Sequence, residues 1–87
     1  MKTDRELLEL AAKAVGLDGC TIKVGRRIWN PLTDDGDALR LAVLLSLLND
    51  LQTLIEHHIE EADYLADPYA ATRRAIVLAA AEIGRQS

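Results

Sequence analysis

The sequence predicts a small α+β domain, with helices packed on a short sheet in the order helix, strand, helix, strand, helix. Three observations predict it. Capped amphipathic segments at 4–15 and 68–83 frame the chain. Cys20, Ile22 and Val24 alternate with Thr21 and Lys23, the two-residue period of a half-buried strand. Leu51, Thr53, Ile55, His57 and Ile59 alternate as well and offer that strand a partner for its backbone groups. The alternative is a mostly α chain with a short hairpin at 20–29, because Leu48, Leu51, Ile55, Ile59 and Ala62 also keep helical spacing.

The first helix is the most directly encoded. Thr3 and Glu6 have the spacing of a capping box, in which each side chain serves the other's backbone N–H. Leu7, Leu8, Ala11, Ala14 and Val15 follow at helical spacing, and Gly16 stands where a left-handed cap is expected. Residues 20–29 then read as strand, with Gly25 marking a bulge or the tip of a tight hairpin. Pro31 ends it, since proline donates no ladder hydrogen bond. Thr33 or Asp34 caps the second helix, and Asp35 and Asp37 suit its dipole. Leu41, Leu44, Leu45 and Leu48 make one stripe, and Ala42, Val43 and Leu47 add apolar surface beyond it. Asn49-Asp50 is a plausible break before a strand at 51–59. Asp67 caps the last helix with Pro68 at its first position, and Gly84 is expected to close it. Its alanines keep it thin enough to lie close to a neighbour.

Composition narrows the function classes. The 87 residues suit one domain, 1–87. A hydrophobic content of 49% is incompatible with a mainly disordered chain, and with 3% aromatics the core must come from Leu, Ile, Val and Ala. The net charge of −4 argues against nucleic-acid binding, which depends on phosphate neutralisation. Only Arg26-Arg27 and Arg73-Arg74 form basic pairs. No apolar run approaches the ~18–20 residues that span a bilayer, and Met1–Glu6 lacks the apolar run of a signal peptide. A single cysteine fits a reducing compartment. The expectation is a cytoplasmic protein with no membrane or nucleic-acid partner.

Candidate chemistry is sparse. On a helix, His57 and Glu61 share a face at i and i+4, as do Glu56 and Glu60, and such spacing can hold a transition metal. The two histidines are adjacent, however, unlike those of a zinc helix, and a solvated polar face at the edge of an element explains them better. Asp34-Asp35-Gly36-Asp37 resembles a fragment of a calcium loop but lacks the later ligand, so helix capping explains it better. Cys20 lies on the apolar side of its strand and has no adjacent base, the pattern of a buried structural thiol. Trp29 is either a packing anchor beneath the second helix or part of a binding surface. No catalytic, cofactor-binding or metal set is expected.

Three stretches carry a resemblance. They are Arg5–Ala14, the run Trp29-Asn30-Pro31-Leu32-Thr33-Asp34-Asp35-Gly36-Asp37-Ala38-Leu39-Arg40-Leu41-Ala42-Val43, and Asp67–Ala81. They look like segments of small proteins of tailed bacteriophages and prophages that are similar to the phage ABA sandwich domain family. That resemblance implies a sheet layered between helices, and it implies no activity or catalytic residues. The chain departs from the family pattern between Leu47 and Ala66, which is leucine-rich.

These features together predict a non-enzymatic phage or prophage accessory protein that works by protein–protein contact in the host cytoplasm. Its partners would be a second copy, forming a homodimer, and a host defence or regulatory protein. Trp29, Leu44, Leu45, Leu47 and Leu48 are the candidate interface. The competing class is a metal- or cysteine-dependent enzyme using His57, His58, Glu60, Glu61 or Cys20. A third class is nucleic-acid binding through Arg26, Arg27, Arg73 and Arg74.

Overall fold

The computed structural model describes residues 3–16, 23–24 and 27–86, with the backbone alone at 23–24 and 27–28. The chain runs α1 (Asp4–Ala14), β1 (Lys23–Val24), β2 (Arg27–Ile28), α2 (Asp35–Leu44), a single 3₁₀ turn (Leu48–Asp50), α3 (Leu51–His58), α4 (Glu61–Ala66) and α5 (Pro68–Arg85). This is a helical domain, not helices packed on a sheet. The only ladder among the described residues pairs Lys23 with Ile28 and Val24 with Arg27, antiparallel. Two residues a side cannot carry a helix layer.

The second expected strand is helix. Residues 51–58 form α3, and Leu51 and Leu54 pack their half-buried side chains against the core. Two physical facts decide this. The backbone of β1 finds its partner in β2, so it makes no demand on 51–59. The helical register turns Leu51 and Leu54 together toward the core, whereas alternation would turn them to opposite faces.

The core is built around α5. Helix α1 lies along it, with the Asp4 carboxylate 3.3 Å from Arg74 near one end and the Leu10 backbone against Gly84 near the other. The two helices therefore run in the same direction, and the chain between them is the crossover. Ala11, Ala12, Ala75 and Ala80 are completely buried, as is Val77. Small side chains bring helix backbones close, so this core relies on proximity more than on bulky aromatics. Helix α5 continues past Gly84 to Arg85, so Gly84 is not the cap that its position suggested. It is buried, and it is where the α1 backbone touches α5.

The caps explain the remaining boundaries. Thr3 and Glu6 form both halves of the capping box, and Gly16 adopts φ 82° after α1. Asp67 accepts from the Ala70 N–H, with Pro68 opening α5. Helix α2 ends in a Schellman motif, in which the Leu47 N–H donates to the Ala42 carbonyl and the Ser46 N–H to the Val43 carbonyl. Ser46 sits at φ 59°, the left-handed position usually given to glycine. The chain then turns sharply, and α2 and the Leu48–His58 run meet at 104°. No single helix among the described residues is long and apolar enough to cross a membrane.

Ser46 has the wrong residue type for its backbone. A left-handed conformation costs an L-residue about 1–2 kcal/mol, part of which glycine returns as lost chain entropy. Ser46→Gly is therefore expected to stabilise the fold by about 0.5–1 kcal/mol, read as a higher urea midpoint at unchanged slope.

Candidate functional site

The stretch from Trp29 to Arg40 positions the site. Asn30 closes a turn by accepting the Leu32 N–H at 3.0 Å through its side-chain oxygen. Asp34 caps α2, its Oδ1 accepting from the Gly36 and Asp37 N–H groups at 2.8 and 3.2 Å. Asp37 is 1% exposed, and its carboxylate accepts the Asn30 N–H at 2.9 Å and Arg40 Nη1 at 3.3 Å. Arg73 of α5 ties the turn to the core by donating to the Leu32 carbonyl at 2.8 Å and to Asp35 Oδ1 at 2.6 Å. These bonds set the rotation of α2. Ala38, Leu41 and Ala42 face the core, and Leu45 packs half-buried beside them.

That rotation leaves the other sides of α2 apolar and exposed. Leu39 is 54% exposed, Val43 55% and Leu44 68%, and Leu48 beyond the elbow is 45% exposed. Tyr69, in the first turn of α5, stands out at 73%. Between them runs a shallow groove of about 210 Å³, walled by Leu39, Leu48, Leu51, Tyr69 and Ile76, with Asp35 and Arg73 at its rim. It is smaller than the ~300–1,000 Å³ typical of small-molecule sites. From Leu41 to Leu48 the sequence carries no charge. A face of this kind is suited to contact with another protein.

The sequence-predicted interface divides on this surface. Leu44 and Leu48 lie on it. Trp29 is 5% exposed in the core and Leu47 is buried there too, so neither contributes; Leu45 is half-buried against the core. Leu47 turns inward because it is the residue that follows the left-handed Ser46 in the helix-ending motif, where an apolar side chain packs back. Sequence reasoning missed Leu39 and Tyr69, and it counted Val43 as apolar surface without placing it in the interface. The signal was present: Leu39 and Val43 stand at i and i+4, one step around the helix from the Ala38–Leu41–Ala42–Leu45 stripe.

The other candidate residues are placed as follows. His57 and His58 end α3 with their rings edge to face, centroids 4.7 Å apart. Ile59 is extended, Glu60 precedes α4 and Glu61 opens it, so the helical i, i+4 geometry of His57 and Glu61 does not exist. Among the described residues no group of three or more His, Cys, Asp or Glu side chains could hold a metal ion. Burial lowers the His58 pKa, and the neighbouring His57 lowers it further, while Glu82 acts in the opposite direction. Asp34 and Asp37 serve the backbone as described, and Arg73 and Arg74 each hold a carboxylate. Cys20, Gly25 and Arg26 lie outside the described residues, as does the Arg27 side chain.

No family model, curated protein or solved structure matches the chain. The helical architecture also differs from the layered helix–sheet–helix arrangement that the phage ABA sandwich resemblance implied.

Proposed function

We propose that this chain is a non-enzymatic accessory protein that acts by protein–protein contact through the exposed surface of α2 and its elbow. The observation that carries the reading is the exposure of Leu39, Val43, Leu44 and Leu48 beside Tyr69. Leaving these side chains in water forfeits stabilisation that a partner would restore, about 25 cal/mol for each Å² covered. A second copy is the first partner, since a two-fold contact covers the same patch on both chains at once. The resemblance of 29–43 and 67–81 to small phage and prophage proteins supports the setting of an infected bacterial cell. There the same surface would meet a host defence or regulatory protein in the cytoplasm.

Sedimentation velocity over a concentration series tests self-association. The wild-type chain is expected to form a dimer at micromolar concentration. The double substitution Val43→Lys and Leu44→Lys should give a monomer whose folding stability stays within about 0.5 kcal/mol of wild type, because both positions are exposed. Lysine at the end of α2 also suits the helix dipole. A wild-type chain that stays monomeric throughout would contradict the reading.

A further inference from the structure

A second concavity lies on the opposite flank of α5, and the contact reading does not use it. It is a cavity of about 270 Å³ between α1, α3 and α5, lined by Leu7, Leu78 and Ala81 and by His58, Arg74, Glu82 and Arg85. Its apolar side comes from Leu7 and Ala81, which are buried, and half-buried Leu78. Its polar side carries the Arg74 and Arg85 guanidinium groups, with the Glu82 carboxylate and the His58 ring on the same wall. We propose that this cavity binds a small organic carboxylate with a compact apolar body, its carboxylate received by Arg74 and Arg85.

Donor capacity supports this. Arg74 meets Asp4 through Nη1 alone at 3.3 Å, and Arg85 meets Glu82 through Nη2 at 2.5 Å. A guanidinium has five N–H donors, so single-nitrogen pairs leave donors on both residues for another acceptor. Arg74 and Arg85 side chains are 43% and 55% exposed, so neither existing pair is locked in the interior. His58 adds an imidazole to the wall, which in its neutral form can donate one hydrogen bond. A ligand body seated on Leu7, Leu78 and Ala81 would displace water from apolar surface while its charge stays at the arginine side.

A concavity of about 270 Å³ suits a compact ligand. Benzoate is of that kind and carries the required charge. For a ligand so small, a Kd of about 1 mM is expected.

The test is an NMR titration of the full chain with sodium benzoate at neutral pH, following the His58 ring and the Leu78 and Ala81 methyl groups. Saturable shifts are expected at all three. Benzamide, of nearly the same shape but uncharged, should bind about tenfold more weakly, a comparison that needs no variant. Arg74→Gln and Arg85→Gln should each weaken benzoate about tenfold with thermal melts near wild type. Asp4→Asn, which takes away the negative charge competing for Arg74, should tighten binding roughly threefold. Shifts that never saturate, equal binding of benzamide, or arginine variants that bind as wild type would each overturn the assignment.

Discussion

Gly84→Ala is expected to destabilise the fold by about 3 kcal/mol, an unusually large cost for adding one methyl group. Inside a helix the exchange would ordinarily gain about 0.5–1 kcal/mol, because alanine restricts the unfolded chain. Here the added Cβ would lie 1.8 Å from the Leu10 carbonyl oxygen and 2.8 Å from its carbonyl carbon. The obstacle is backbone, so no rotamer change can relieve it. Helix α1 would have to move away from α5 over its whole length, opening the contacts of Ala11, Ala12 and Ala80, which are completely buried. For a domain of this size 3 kcal/mol lowers the melting temperature by more than ~10 °C. Differential scanning calorimetry checks it. A melt within ~2 °C of wild type would mean that the α1–α5 approach is looser than described.

Asp37→Ala is expected to cost about 2–4 kcal/mol. A carboxylate that is 1% exposed is retained only where it is hydrogen-bonded, and this one accepts the Asn30 N–H and Arg40 Nη1. Truncation leaves the Asn30 N–H without that acceptor, leaves a void beneath α2, and frees the turn that sets the helix's rotation. Asp37→Asn keeps the shape and should cost about half as much, since a neutral amide makes the weaker bond. Arg40→Ala should cost under ~1 kcal/mol, because its side chain is 66% exposed and water replaces the lost pair. Urea unfolding of the three variants gives the order. A cost for Asp37→Ala no greater than for Arg40→Ala would show that the buried carboxylate does not hold the turn.

What could be read from the chain beforehand follows from the range of the interactions. The Thr3–Glu6 capping box, the left-handed Gly16, the Asp34 cap and the Asp67-Pro68 start are written within four residues of one another, and their residue types carry the geometry. The 51–59 segment was not legible, because Leu51, Ile55 and Ile59 satisfy a helical spacing and an alternating one at once. The pairing of β1 with β2 and the position of the core select between them. The end of α2 was hidden because Ser46, not glycine or asparagine, takes the left-handed turn. Gly84 and Asp37 were each given a local role, as a cap and as a dipole partner, while their main partners are tertiary or lie seven residues back, at Leu10 and at Asn30. The sequence alone leaves Trp29 as either a packing anchor or contact surface, and makes Leu47 contact surface. The rotation of α2 and the turn at Ser46 place them inside, and they bring Leu39 and Val43 out in their stead.

The proposed self-association through the elbow is most directly tested by isotope-filtered NOE spectroscopy on an equal mixture of labelled and unlabelled chains. Intermolecular NOEs are expected among the methyl groups of Leu39, Val43, Leu44 and Leu48 and from these to the Tyr69 ring. Their absence at concentrations where the chain is dimeric, or their appearance at another surface such as that around Ile83, would contradict the assignment of this face.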